Sequence, residues 1–228
     1  FLAPYIESHK MLAAISSHDV RFPLPDSKNF ELLPVIALRH PIDRARSVYD
    51  FERRQEANTP GAIKAKELSF ADCIRWRMLP DVGSTIRNFH CAFCTSNFDS
   101  EIGEQGYLDS VALLTRTPLM LIVERYDESM LLLEHQLKQH FPAIDLSYIC
   151  QNATPDREDD LEQRIQNVFD QLGPELTVEF REKNHWDMKL YEDAQAIFVE
   201  RLGSLPRIKH LLHDFQSRCR FLSTELHE

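Results

Sequence analysis

The apolar run Leu32-Leu33-Pro34-Val35-Ile36-Ala37-Leu38, closed by Arg39-His40-Pro41, constrains the fold more than any other stretch of this chain. It is too short to span a membrane and too unbroken for a strand with one wet face. It therefore reads as a strand buried on both faces of a parallel sheet. Pro41 ends the run, because proline fixes its own φ and pushes the preceding residue out of helical space. Asp43 then stands where a helix cap belongs, ahead of a helix that carries Arg44, Ser47, Tyr49 and Phe51 and runs to about Glu56. Strand, tight turn and helix start together make the place where open α/β sheets bind ligands. Arg39 sits at the strand's carboxyl end, and Ser47 lies in the helix eight residues later. A guanidinium, a hydroxyl and free helix N–H groups converging on one point suit a phosphate dianion.

Pro118 to Val123 is a second unbroken apolar run, hence a second parallel strand. The helix after it, Asp127 to Phe141, places Met130, Leu133, Leu137 and Phe141 on one stripe behind an acidic first turn. Further helices are expected over Glu7 to Ile15, Lys64 to Met78, Asp81 to Phe93, Asp109 to Arg116, and from Pro155 to Gly173-Pro174. Two more follow, one capped by Asn184 or Asp187 and stopping at Gly203, the other over Ser204 to Leu222. Asn58-Thr59-Pro60-Gly61 and the stretch Asn97 to Gly106 read as loops. Few buried strands among many helices give a helix-covered parallel α/β sheet. At 228 residues, 43% of them hydrophobic, the chain can bury one such core, so residues 1–228 read as one domain.

A net charge of −10 argues against nucleic acid or a general polyanion as partner, since such binders are usually basic. No window approaches the roughly 18 apolar residues of a membrane helix. Cys73, Cys91, Cys94, Cys150 and Cys219 form no even framework, which suits reduced thiols better than a disulfide scaffold. His90-Cys91-Ala92-Phe93-Cys94 lacks the second cysteine pair that a structural zinc site would use, so no metal is assigned.

The segment Arg39-His-Pro-Ile-Asp-Arg-Ala-Arg-Ser47-Val-Tyr49 resembles the 3′-phosphate-binding segment of sulfotransferases that use PAPS (3′-phosphoadenosine 5′-phosphosulfate). The likeness continues through Leu68 to Ile74, Ile86 to His90, Ile122 to Ser129 and Asn184 to Asp187. It is closest to the branch that sulfates carbohydrate 2-hydroxyls. The resemblance implies a P-loop nucleotide-kinase-like fold of the sulfotransferase type. It implies that Arg39 and Ser47 hold the 3′-phosphate of PAPS or its product PAP (3′-phosphoadenosine 5′-phosphate). Gln151 to Pro155 falls where the family has a loop over the nucleotide, from which Arg157 would reach the same phosphate. His18, 21 residues before Arg39, matches the family's proposed base. A neutral imidazole can take a hydroxyl proton as the oxygen attacks sulfur.

The acceptor so implied is a hydroxyl compound, possibly a glycan, and the transfer uses no metal. The family's Lys-bearing loop for the 5′-phosphosulfate has no match before Ile15. Phe1-Leu2-Ala3-Pro4 opens in mid-pattern without an initiator Met, so that loop is expected upstream of Phe1. The rival expectations are a sulfotransferase-like binding module that has lost catalysis, and another nucleotide-dependent transferase such as a kinase. The acidic composition and irregular cysteines point to a bacterial cytoplasm, with the Golgi lumen as the other compartment.

Overall fold

The computed structural model describes residues 2–9, 11–17, 20–83, 85–151 and 160–225. Both apolar runs form strands, β1 over Val35–Leu38 and β2 over Leu119–Ile122. They pair in parallel with Val35 opposite Leu119 and Leu38 opposite Ile122, so their carboxyl ends lie side by side. A parallel pair needs a long crossover. Here it is helical: α1 (Leu2–Ser8) precedes β1, and α2 (Pro41–Arg54), α3 (Pro60–Glu67), α4 (Phe70–Arg77), α5 (Phe89–Thr95) and α6 (Glu104–Arg116) lie between the strands. After β2 come a single turn of 3₁₀ helix (Val123–Arg125), then α7 (Tyr126–Leu137), α8 (Leu161–Leu172), α9 (Pro174–Lys183), α10 (His185–Gly203) and α11 (Ile208–Glu225). The architecture is α/β and rich in helix.

The strands differ in cover. Every residue of β2 is buried, whereas β1 alternates, with Ile36 and Leu38 inside and Val35 48% exposed. The sheet packs into one cluster with Cys91, Leu114, Leu132, Leu190, Ala194, Phe198 and Phe215, drawn from α5, α6, α7, α10 and α11. A second cluster joins Ile42, Ala45 and Tyr49 of α2 to Phe70, Cys73 and Ile74 of α4 and to Val168, Leu172, Leu176 and Phe180 of α8 and α9. Full enclosure of Phe180 and Phe198 contributes roughly 1.5–3 kcal/mol each. Helix α2 thus follows directly on β1 in the chain and packs against α3 and α8.

Several expected boundaries move, for local reasons. The Lys64 to Met78 helix is two helices, because the Ser69 hydroxyl accepts from the Asp72 N–H at 3.2 Å and starts α4 afresh. Thr59-Pro60-Gly61, expected to be a loop, opens α3: Thr59 caps it through the Ala62 N–H at 3.3 Å, and Pro60 occupies its first turn. A Cβ at Gly61 would meet the ends of the paired Arg77 and Glu52 side chains, which would have to shift. Asn88 adopts a left-handed conformation at φ 42°, so the helix expected from Asp81 begins only at Phe89. Helix α6 starts at Glu104, inside the stretch expected to be a loop, and α1 ends at Ser8. Gly173, at φ 73°, ends α8 and lets Pro174 start α9, a helix the sequence reading did not separate.

Candidate functional site

The site forms where β1 meets α2. His40 is the residue before the helix, Pro41 is its first residue, and the His40 carbonyl accepts from the Arg44 N–H at 2.8 Å. Asp43 does not cap this helix as expected. It lies in the first turn, 3% exposed, and each carboxylate oxygen takes a guanidinium. Arg39 Nε donates to Asp43 Oδ2 at 2.7 Å, and Arg164 Nε, from α8, donates to Asp43 Oδ1 at 2.9 Å. Among the described residues, Arg39 spends only its Nε in this way. Among those residues its two terminal amino groups meet no acceptor, and the side chain is 16% exposed. Asp43 therefore fixes the plane of a guanidinium whose outer fork stays available.

Ser47 lies one turn beyond Asp43 on the same face of α2, about 6 Å further along the axis. It is half-buried, and among the described residues its hydroxyl has no hydrogen-bond partner. Arg39 thus reaches Asp43 in the first turn of α2, and Ser47 follows Asp43 one turn further along the helix. The first-turn N–H groups of an α-helix lack intrahelical acceptors and carry its positive pole, which adds to the same potential. His18 and Arg157 lie outside the described residues.

Three buried groups hold this corner. His90, 6% exposed, donates from Nε2 to the Arg39 carbonyl at 3.0 Å. Glu124 stands just past β2 and accepts the His40 N–H at 2.8 Å and the Tyr191 hydroxyl at 2.9 Å. Asp187, 1% exposed, accepts the His90 and Cys91 N–H groups at 2.8 and 2.9 Å. Of the two residues expected to cap α10, Asn184 stands before the helix, while Asp187 lies in its first turn and caps α5 instead. Asn88 answers in reverse, its side-chain oxygen accepting the Asp187 N–H at 3.0 Å. Two helix starts are locked to each other, and His90 carries the lock to Arg39.

The electrostatics follow from burial. Desolvation pulls His90 down to about 4 against the pull of Asp187, so it serves as a neutral donor. Arg44 is lowered to about 10 by burial, which the Asp187 charge opposes, and it stays cationic at neutral pH. Its guanidinium lies 3.5 Å from the Phe89 ring centroid and donates to the Thr85 carbonyl at 2.6 Å. Burial pushes the Cys91 thiol far up and Cys94 up to about 12, so both behave as small core residues rather than nucleophiles. Among the described residues, no group of three or more His, Cys, Asp or Glu side chains is placed to hold a metal ion. Likewise, no described helix is long and apolar enough to cross a membrane.

A cleft of about 600 Å³ shares Asn88 with the Asp187 lock. Phe98 and Trp186 give it an aromatic wall, with Glu101, Glu182 and Lys183 at its edge. The segment Leu68 to Ile74, by contrast, sends Phe70, Cys73 and Ile74 into the second core.

Sequence reasoning missed Arg164, which reaches Asp43 across 121 positions with no local signal. It also passed over Glu124 and His90 as site residues, although both lie in segments quoted for the resemblance. Their sign was a buried-strand end followed at once by a polar side chain, in the one case, and a histidine on an apolar helix start, in the other.

No protein-family model matches the chain. It is 27% identical over 201 residues to an uncharacterized protein of Archaeoglobus fulgidus, an alignment covering 86% of this chain and 79% of that protein. No solved structure matches it.

Proposed function

We propose that the chain binds the 3′-phosphate of PAPS and serves a PAPS-dependent sulfotransferase activity that moves a sulfuryl group to a hydroxyl acceptor. The observation that carries this reading is the Arg39 guanidinium, clamped at Nε by Asp43 and presenting its outer fork at the end of a parallel strand. A fork of that kind matches two oxygens of a phosphate, with the Ser47 hydroxyl one turn away for a third. The motif spacing Arg39 to Ser47 is the one the sulfotransferase resemblance rests on, and among the described residues both side chains lack competing acceptors or donors at the atoms such a ligand would use.

In the reaction, the acceptor oxygen attacks sulfur as the bond from sulfur to the 5′-phosphate oxygen breaks, so PAP leaves with that electron pair. The hydroxyl proton passes to a base, for which His18 is the candidate, and Arg157 is the candidate for a second phosphate contact. What the residues around Arg39 contribute is position: they hold the nucleotide by its 3′ end while the bond changes occur at its 5′ end. The aromatic wall of Phe98 and Trp186 beside polar side chains supports a hydroxyl-rich acceptor such as a glycan, whose C–H faces pack on rings. Titration calorimetry with PAP tests the reading. Arg39→Ala should weaken binding about ten- to a hundredfold, the loss of one charge-assisted contact, and Ser47→Ala by less. Equal affinity in wild type and Arg39→Ala would refute it.

A further inference from the structure

The cleft beside Asn88 carries a charge balance opposite to that of the phosphate site. Four chain segments line it: the residues after α4, those ahead of α5, the loop between α5 and α6, and the junction of α9 with α10. Its lining holds four carboxylates, Asp81, Asp99, Glu101 and Glu182, against two cations, Arg87 and Lys183. Both cations are engaged. Lys183 Nζ donates to Glu101 Oε1 at 2.9 Å, and an outer nitrogen of Arg87 donates to the Val82 carbonyl. Asp81, Asp99 and Glu182 are exposed, and among the described residues their side chains make no hydrogen bond or ion pair. The aromatic wall is a separate feature, and it is fixed in place. Trp186 stacks on Tyr107 at 5.5 Å between centroids, and the Tyr107 hydroxyl donates to Asp193 at 2.6 Å. The Lys189 ammonium, outside the cleft lining, lies 5.3 Å from the Trp186 ring centroid, so this ring already attracts a cation.

We propose that this cleft binds an amine-bearing sugar, with its C–H face on the Phe98 and Trp186 rings and its ammonium at the unpaired carboxylates. The inference rests on the reading of the cleft as the acceptor site and names the acceptor's class. A volume of about 600 Å³ falls within the roughly 300–1,000 Å³ of small-molecule sites. Rings beside polar groups suit a sugar, which presents apolar C–H faces between hydroxyls. The charge decides which sugar. With both cations spent, every charge left over in the lining is negative, and a walled cleft concentrates such a field. A uronate or a sulfated sugar would meet repulsion there, whereas an ammonium gains from the carboxylates and from the indole. Among the described residues no three acidic, His or Cys side chains are placed to hold a metal ion, so the cation these carboxylates suit is an organic one.

The test is calorimetry without nucleotide, using a glucosamine tetrasaccharide, its N-acetylated counterpart and a glucuronate-bearing oligosaccharide of the same length. Salt is held at about 0.15 M, where loose surface attraction is screened. The amine form should bind at least about tenfold more tightly than the N-acetylated form, and the glucuronate form should not bind. The double variant Asp99→Asn/Glu182→Gln should weaken the amine form about tenfold at an unchanged melting temperature, since both side chains are exposed. Glu162→Gln/Glu200→Gln removes the same charge from exposed positions outside the lining and should change binding by less than about twofold. Equal affinity for the amine and N-acetylated forms, equal losses in the two double variants, or no binding of the amine form would each overturn the inference. A parallel PAP titration keeps the two readings apart. PAP bound through Arg39 beside a cleft indifferent to the amine sinks this inference alone. An amine sugar bound by a protein that ignores PAP refutes the nucleotide reading and leaves the cleft as a binding site for such sugars.

Discussion

Replacing Asp187 by alanine should be among the most damaging single changes in this protein. The carboxylate is 1% exposed and accepts two backbone N–H groups, at 2.8 Å from His90 and 2.9 Å from Cys91. Alanine leaves both donors buried without acceptors, at about 1–3 kcal/mol each. It also removes the anion that most favours the charge of Arg44, and weakening the compensation of a desolvated charge adds to the cost. The sum is roughly 3–5 kcal/mol, allowing for relaxation. For a chain of this length each kcal/mol lowers the melting temperature by about 2–4 °C, so a fall of roughly 10 °C or more is expected. Asp187→Asn keeps an acceptor oxygen and should lose about half as much. The assay is guanidinium unfolding followed by circular dichroism, with calorimetric melting as a second probe. An Asp187→Ala variant within 1 kcal/mol of wild type would refute the idea that α10 caps α5 through this side chain. The same variant should bind PAP more weakly, because His90 orients the Arg39 carbonyl from the helix that Asp187 caps.

Asp43→Asn should destabilise the fold by about 2–3 kcal/mol in the same unfolding assay, since it breaks the buried side of two ion pairs; an unchanged midpoint would show them to be idle. Thr59→Ala and Ser69→Ala should each cost about 1 kcal/mol, the usual worth of a capping hydroxyl, measured by the same unfolding curves. Burial opposes ionisation of Glu134, but hydrogen bonds from Arg218, Lys138 and the Leu146 N–H outweigh it and hold its carboxyl below the ordinary glutamate range. Its folded pKa is depressed, so its stabilisation is present above the unfolded value near 4.3 and is lost as pH falls through the folded one. The gap between wild type and Glu134→Gln should therefore be full at pH 7 and close as pH is taken below about 4. Thiol titration in native buffer should label exposed Cys150 quickly, while Cys91 and Cys94 react only on unfolding.

Much of this fold can be read from the chain because its strands announce themselves. Leu32 to Leu38 and Pro118 to Val123 are apolar without alternation, and both contain strands in parallel register. β2 is covered on both faces as expected, whereas β1, Val35–Leu38, leaves one face partly open at Val35. Pro41 and the spacing from Arg39 to Ser47 likewise carry their geometry with them, since proline and the helical period act locally. What could not be read was long-range. Nothing near Asp187 says that it will cap a helix starting at Phe89, because N-capping signals are recognised by adjacency and here the cap comes from another element. Arg164 reads as one charge on an amphipathic helix until α8 packs on α2. Helix breaks within polar stretches, such as Leu68-Ser69 and the left-handed Asn88, depend on single side-chain hydrogen bonds and backbone angles that periodicity averages away.

The central claim is that Arg39 and the start of α2 hold a nucleotide by its 3′-phosphate. It is tested most directly by comparing the affinity of the folded protein for adenosine 3′,5′-bisphosphate with that for adenosine 5′-monophosphate, at one fixed salt concentration. The two ligands differ only in the group the site is said to bind. The account predicts that the bisphosphate binds at least tenfold more tightly and that Arg39→Ala erases the difference. Equal affinity for the two ligands, or a preference that survives Arg39→Ala, would contradict it.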